Sequence, residues 1–247
     1  MALVWSCERR GVRYEVRSAG RSLRLYTDGV FHSQYHPTRP VTGGIWDLLY
    51  LPVHFLSHPA AARALVLGVG GGAVLRLLQR HAGCAEILGV ERDAHHLRIA
   101  RRFFGLGAGC SLVHADAVGW LAAQPAARFD FLVDDLFGGR RGEPVRAVAA
   151  DAAWCRTLAR GVAPGGVLVI NFASRDELAQ SALLRMPRRT HGFRSAFRLW
   201  LPAYENAVAA FCRAPASSRG LRRRLERVAS LALGRRGGLD YRIRQLW

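Results

Sequence analysis

Apolar and polar positions along the chain fall into two rhythms. Between residues 12 and 35, short β-rich runs alternate with turns: Val12 to Arg17, Ser22 to Tyr26 and Val30 to Tyr35, separated by Ala19-Gly20 and Thr27-Asp28-Gly29. This spacing predicts a small antiparallel meander. His36 to Pro40 is a connection, and Trp46 to Leu56 is an apolar helical stretch interrupted by Pro52, whose ring cannot continue a helix. From Arg63 strand and helix patterns alternate. The predicted strands are Ala64 to Gly68, Glu86 to Glu91, Ser111 to Ala115, Phe129 to Asp134 and Val167 to Phe172. Helices are predicted at Ala73 to His81, Ala94 to Phe104, Ala117 to Ala123 and Val145 to Val162, the last stopped by Pro164-Gly165-Gly166. Several of the strands are apolar throughout, as in a parallel sheet covered on both faces. Ala196 to Leu201 and Ala207 to Cys212 would close it as an antiparallel hairpin. The pattern predicts an α/β chain: an N-terminal β-meander and linker helix over 1–60, a Rossmann-like doubly wound, mostly parallel sheet over 61–213, and a C-terminal segment over 214–247.

Composition adds charge to this frame. The 247 residues carry 36 Lys+Arg against 18 Asp+Glu, a formal net charge of +18, and every basic one of the 36 is arginine. Such a balance favours anionic partners, yet no recognised nucleic-acid module accompanies it. After Pro215, Leu221, Leu225, Val228 and Ala232 share one helical face flanked by Arg222, Arg223 and Arg224. This predicts a docked amphipathic helix with a solvated basic face, and a cofactor site that survives its removal. The five cysteines are scattered without a Cys-x-x-Cys pair, which argues against a disulfide framework or zinc site and for a reducing, cytoplasmic setting. Met1 to Arg10 has no apolar signal region and no stretch is long enough to span a bilayer, so no membrane association is expected. His54 and His58 stand four apart, but no third ligand accompanies them and no metal site is expected.

The candidate chemistry sits at the ends of the predicted strands. In Leu65-Val66-Leu67-Gly68-Val69-Gly70-Gly71-Gly72-Ala73 a buried strand ends in glycines and a helix starts at once. Such a turn lets a ligand approach the backbone, with free helix amides beside it. Glu91 ends the next strand, about twenty residues on, where an acid can accept both ribose hydroxyls. Asp116, followed by the small Ala117, ends the third, and Asp134-Asp135 ends the fourth. Any one of these acids could be a helix cap or a solvated turn; as an ordered set at successive strand ends they predict a nucleoside cleft.

Over roughly residues 20 to 212 the chain resembles the spermidine synthase (polyamine aminopropyltransferase) family, within the class I AdoMet-dependent methyltransferase-like superfamily. The resemblance is carried by Leu25 to Val30, by the glycine motif running on to Val74-Leu75-Arg76, by Phe129 to Asp135, and by Pro202-Ala203-Tyr204. It implies an N-terminal β-domain on a Rossmann-like domain, often dimeric, using S-adenosylmethionine or its decarboxylated form. It implies His32, Gly68, Gly70, Gly72, Glu91, Asp116 and Ala117 as cofactor residues. Asp135 falls at the position of the residue deprotonating the attacking amine, and Tyr204 at that of a tyrosine lining the amine pocket.

The chain departs from the family at the amine-gripping acids. A loop aspartate is replaced by Gly71, a gate tyrosine by Ile45, a neighbouring glutamate by Asp47, a second catalytic-loop aspartate by Gly138, and a cofactor glutamine by His32. The main expectation is therefore an AdoMet-dependent transferase moving a methyl or related alkyl group to a small-molecule acceptor, as a homodimer. The alternative is a polyamine aminopropyltransferase using decarboxylated AdoMet. A third reading is a non-catalytic adenosyl-binding or nucleic-acid-associated protein. With Gly71 removing a negative charge from the loop, AdoMet is expected to bind at least as tightly as its decarboxylated form.

Overall fold

The computed structural model describes residues 1–140, 142–228, 231 and 241–247. The chain opens with four antiparallel strands, β1 (Ala2–Arg9), β2 (Val12–Ala19), β3 (Ser22–Thr27) and β4 (Val30–Tyr35), paired in that order. Sequence reading finds the last three and misses β1, most of whose side chains are exposed, Leu3 and Val4 included, so no buried face marks it. Tyr14, Val16 and Leu25 form the buried face of this sheet. The helical stretch after it is α1 (Ile45–Tyr50), tightening into a 3-10 turn over Leu51–Phe55 where Pro52 intervenes.

The second layer alternates as expected: β5 (Arg63–Leu67), α2 (Ala73–His81), β6 (Glu86–Glu91), α3 (Ala94–Phe103), β7 (Ser111–His114), α4 (Ala117–Ala122) and β8 (Phe129–Asp134). Ile99 and Phe104, in and just after α3, pack under the N-terminal sheet. A hairpin follows, β9 (Phe137–Arg140) and β10 (Glu143–Arg146), then α5 (Ala152–Gly161) and β11 (Val162–Phe172). The helix expected over 145–162 is thus shorter. Pro144 and Arg146 belong to β10, and Asp151 starts α5 by accepting from the Trp154 amide at 2.9 Å. The small residues of 147–150 suit a helix by composition, but they form a bend and a loop between β10 and α5.

Short helices α6 (Arg175–Gln180), α7 (Ala182–Arg185) and α8 (Arg188–His191) lead to β12 (Ser195–Trp200) and β13 (Ala207–Cys212). The last elements are α9 (Ser218–Leu225) and β14 (Arg242–Gln245). The large sheet has the order β14-β12-β13-β11-β8-β5-β6-β7. Strands β11, β8, β5, β6 and β7 are parallel, and β13, β12 and β14 join antiparallel. This is the expected mostly parallel α/β sheet, with β14 as an unforeseen edge strand. Leu221 and Leu225 of the basic helix are buried as expected, and Val228 packs against the same cluster; Ala232 lies outside the described residues. No helix among the described residues is long and apolar enough to cross a membrane, and no cluster of metal-ligating side chains occurs among them.

Candidate functional site

The carboxyl ends of β5, β6, β7, β8 and β11 open into a cavity of about 750 Å³, a size suited to a cofactor and a small acceptor. Residues of the β3–β4 turn, the start of α1, the β9–β10 hairpin and the loop carrying Tyr204 and Asn206 cover it. Crossover connections in a doubly wound sheet leave this crevice at the strand ends, so Gly68, Gly70, Glu91, Asp116 and Asp135 converge here through topology.

The glycine turn is shaped by two carbonyls. Gly68 has φ +86°, and a β-carbon there would collide with the Asp135 carbonyl oxygen. Gly70, at φ +52°, would place one 3.0 Å from the His32 carbonyl oxygen. The loop is therefore pinned between the end of β8 and β4, and at these two positions only glycine fits. Gly72 starts α2 and faces Leu106, whose side chain would lie 2.7 Å from an added β-carbon; it stands outside the cavity lining. Gly71 also faces inward. A β-carbon there would sit 2.7 Å from Ser33 Cβ and 3.2 Å from Phe104. A charge at position 71 would meet packed protein rather than ligand in this backbone, which removes the ground for expecting Gly71 to favour AdoMet.

Glu91 accepts from the Val69 and Gly70 amides, each at 3.0 Å, and from the Asp93 amide at 2.9 Å. His96 approaches it at 3.8 Å. Burial alone would raise its pKa, but His96 and these amides outweigh burial and hold it down at about 2. The carboxylate thus braces the glycine loop and stays ionised. His32 lines the same wall, its ring centroid 5.1 Å from that of His96. Burial, helped by His96, lowers its pKa to about 4 and keeps it neutral. Asp116 accepts from the Val118 and Gly119 amides at 3.1 and 3.0 Å through one oxygen, capping α4, and with Ala117 it lines the cavity. The capping role and the cleft position belong to the same residue.

The two aspartates at the end of β8 part company, because neighbouring side chains of an extended chain point opposite ways. Asp134 is fully buried, ion-paired to Arg146 at 2.9 Å and bonded by Trp154 Nε1 at 2.9 Å. Arg146 also reaches Glu177 at 3.2 Å and donates to the carbonyl oxygens of Asn171 and Val148. Asp135 turns into the cavity. Asn171 Nδ2 donates to it at 2.8 Å, and Asn206 Nδ2 donates to Asn171 Oδ1 at 3.1 Å. Surrounding protein raises its pKa to about 6, with Asp134 and Glu91 adding to the rise while Asn171 and Arg146 oppose it.

Beyond Asp135 the cavity wall is largely apolar, with Phe31, Ile45, Trp46, Phe137 and Tyr204. Burial raises the Tyr204 pKa, so the phenol keeps its proton. Asp47, beside this wall, is not among the lining residues. Its carboxylate is consumed by the Thr42 amide and hydroxyl, both at 2.9 Å, and by the Gly43 amide at 2.7 Å. Sequence reasoning missed Asn171 and Asn206, although a lone amide ending the apolar run of β11 was a usable signal. It also missed the aromatic wall, because Phe31 and Trp46 read as ordinary core residues.

No protein-family model matches the chain. It is 32% identical over 172 residues to a polyamine aminopropyltransferase of Mycobacterium tuberculosis, an alignment covering 64% of this chain and 30% of that protein. The chain therefore spans less than a third of that relative's length. A probable spermidine synthase from Corynebacterium glutamicum has a similar structure, with TM-score 0.72, 18% identity, and 92% of this chain and 88% of that one covered. Human methyltransferase-like protein 13, solved in complex with SAH, matches with TM-score 0.61 at 18% identity, covering 79% of this chain and 94% of the other. The structural neighbours confirm the Rossmann-like, methyltransferase-type fold. The sequence likeness is to a polyamine aminopropyltransferase, over part of that protein's length.

Proposed function

We propose, from this kinship and from Asp135, that the chain is an aminopropyltransferase that alkylates an amine with decarboxylated AdoMet. This replaces methyl transfer as the first reading. The observation that carries it is a single carboxylate, raised to about pH 6 and held by Asn171, at the strand end below the glycine loop. Methyl transfer to an acceptor that is already nucleophilic needs no base, whereas an ammonium must lose a proton before its nitrogen can attack carbon.

The residues fit an adenosyl group. The glycine loop leaves room where β-carbons would collide, Glu91 is an ionised acceptor at the β6 end, and Asp116 has a second oxygen beyond the one capping α4. Glu91 would hold the ribose, Asp116 and Ala117 the base, and the Gly68–Gly70 turn the centre. When bound, the sulfonium supplies an electrophilic carbon. Asp135 accepts the amine proton; the nitrogen lone pair forms the new C–N bond as the C–S bond breaks, and its electrons remain on sulfur as a neutral thioether. Asn171 fixes the carboxylate, and Tyr204 forms part of the acceptor wall. His32, held neutral, adds a wall to the cofactor side without adding charge. The same proposal has it working as a homodimer in the cytoplasm.

Incubating the protein with decarboxylated AdoMet or AdoMet, each with putrescine and a panel of monoamines, tests it by mass spectrometry. Methylthioadenosine together with an aminopropylated amine is the expected result. S-adenosylhomocysteine with a methylated acceptor would instead establish methyl transfer.

A further inference from the structure

Sharing no lining residue with the strand-end cleft, a recess of about 260 Å³ lies between α6, β12 and β14. Three guanidinium groups border it, from Arg175, Arg198 and Arg244, over apolar side chains that include Leu178, Leu184 and Leu246. No carboxylate is among its lining residues, and none of the three arginines is in an ion pair among the described residues.

The arrangement is costly as it stands. Arg198 and Arg244 are direct partners across the antiparallel β12–β14 pair, where like charges face one another and destabilise a sheet. Arg198 lies over the Trp200 ring, its guanidinium carbon 4.2 Å from the ring centroid, so the aromatic face holds it in place. Its Nε is buried and has no hydrogen-bond partner, an unusual state for a group that normally finds one. Burial lowers the Arg198 pKa, with Arg175 and Arg244 adding to the effect. The repulsion among these guanidinium groups is relieved by one multivalent oxyanion, and planar guanidinium forks match phosphate oxygens well. The leucines beneath call for carbon as well as charge.

We propose that this recess binds a phosphate monoester carrying a short apolar group. Arg198 and Arg244 grip the phosphate from adjacent strands, Arg175 closes it from α6, and the apolar arm rests on the leucines.

Calorimetric titration of the whole chain with butyl phosphate at fixed ionic strength tests this, with inorganic phosphate and butanol as comparisons. Saturable binding of butyl phosphate is expected, at least tenfold tighter than inorganic phosphate, with none for butanol. Arg244→Gln and Arg175→Gln alter exposed side chains, and circular dichroism should show both folded. Each is expected to weaken binding at least tenfold, while Arg101→Gln, at an exposed arginine of α3, leaves it unchanged. Equal weakening by Arg101→Gln, or no saturable binding, would show diffuse attraction to a basic surface and overturn the proposal. Inorganic phosphate binding as tightly as butyl phosphate would overturn the monoester assignment.

Discussion

Asp135 carries a stability cost together with its proposed chemistry. Its pKa is raised to about 6 because the surrounding protein disfavours the charge. The folded state therefore binds a proton that the unfolded state releases at lower pH. The resulting destabilisation is absent below the ordinary carboxylate pKa, grows as pH rises towards 6, and is complete above it. Asp135→Asn keeps an oxygen for Asn171 and removes the charge. We expect it to raise stability at pH 7.5 by about 2–3 kcal/mol, or roughly 5 °C in melting temperature, with the gain vanishing near pH 4. The same variant should lose about 10²–10⁴-fold in kcat. Wild-type activity should rise through pH 6 as the base ionises. Melting curves and pH–rate profiles of the two proteins check both halves, and a variant that is neither more stable nor less active would sink the assignment. Legibility at this scale was uneven. Asp135 stands out as an acid after an apolar strand, but its neighbour Asp134 looks the same in sequence. Only the β-strand pleat sends one to the cavity and the other to Arg146.

Among the elements, α4 begins at a residue that also lines the cavity. Asp116 caps the helix with one oxygen, which leaves the other outside the cap. Asp116→Ala should cost about 1 kcal/mol from the lost cap and also weaken methylthioadenosine binding. Asp116→Ser restores an acceptor for the cap amides without the second oxygen. Thermal melts should therefore show Ser recovering most of the stability, while calorimetry shows both variants binding weakly. A Ser variant that binds like wild type would reduce Asp116 to a cap. Strands and helices with a buried face, such as β6, β8 and α2, were legible because their apolar runs end in glycine or acid. Elements defined by pairing alone were not. Strands β1 and β14 are edge strands with few buried side chains, and β9–β10 is held by its own hairpin bonds and by contact of Gly139 with Val30. Hydrophobic periodicity has no signal for such segments.

For the whole molecule, the C-terminal part belongs to the fold. Leu221 and Leu225 are buried in the larger core cluster, β14 extends the main sheet, and Arg224 donates to the carbonyl oxygens of His54, Phe55 and Leu56. Truncation after Pro215 was expected to spare the cofactor site, since every motif lies upstream. The two leucines alone contribute roughly 3–6 kcal/mol of burial, a large part of a domain's usual 5–15 kcal/mol. We now expect the truncated chain to melt far lower or to aggregate, as scanning calorimetry would show. Unchanged melting would mean that α9 docks without contributing. The Arg224 contact also has a consequence in time. It joins positions 170 residues apart, so a ribosome adding about 5–20 residues per second exposes the turn roughly 8 to 35 s before its partner emerges. During that interval the apolar residues beneath α9 have no cover of their own. That face of the nascent chain stays open for as long as synthesis of the intervening residues takes, a property of time that the finished protein does not record.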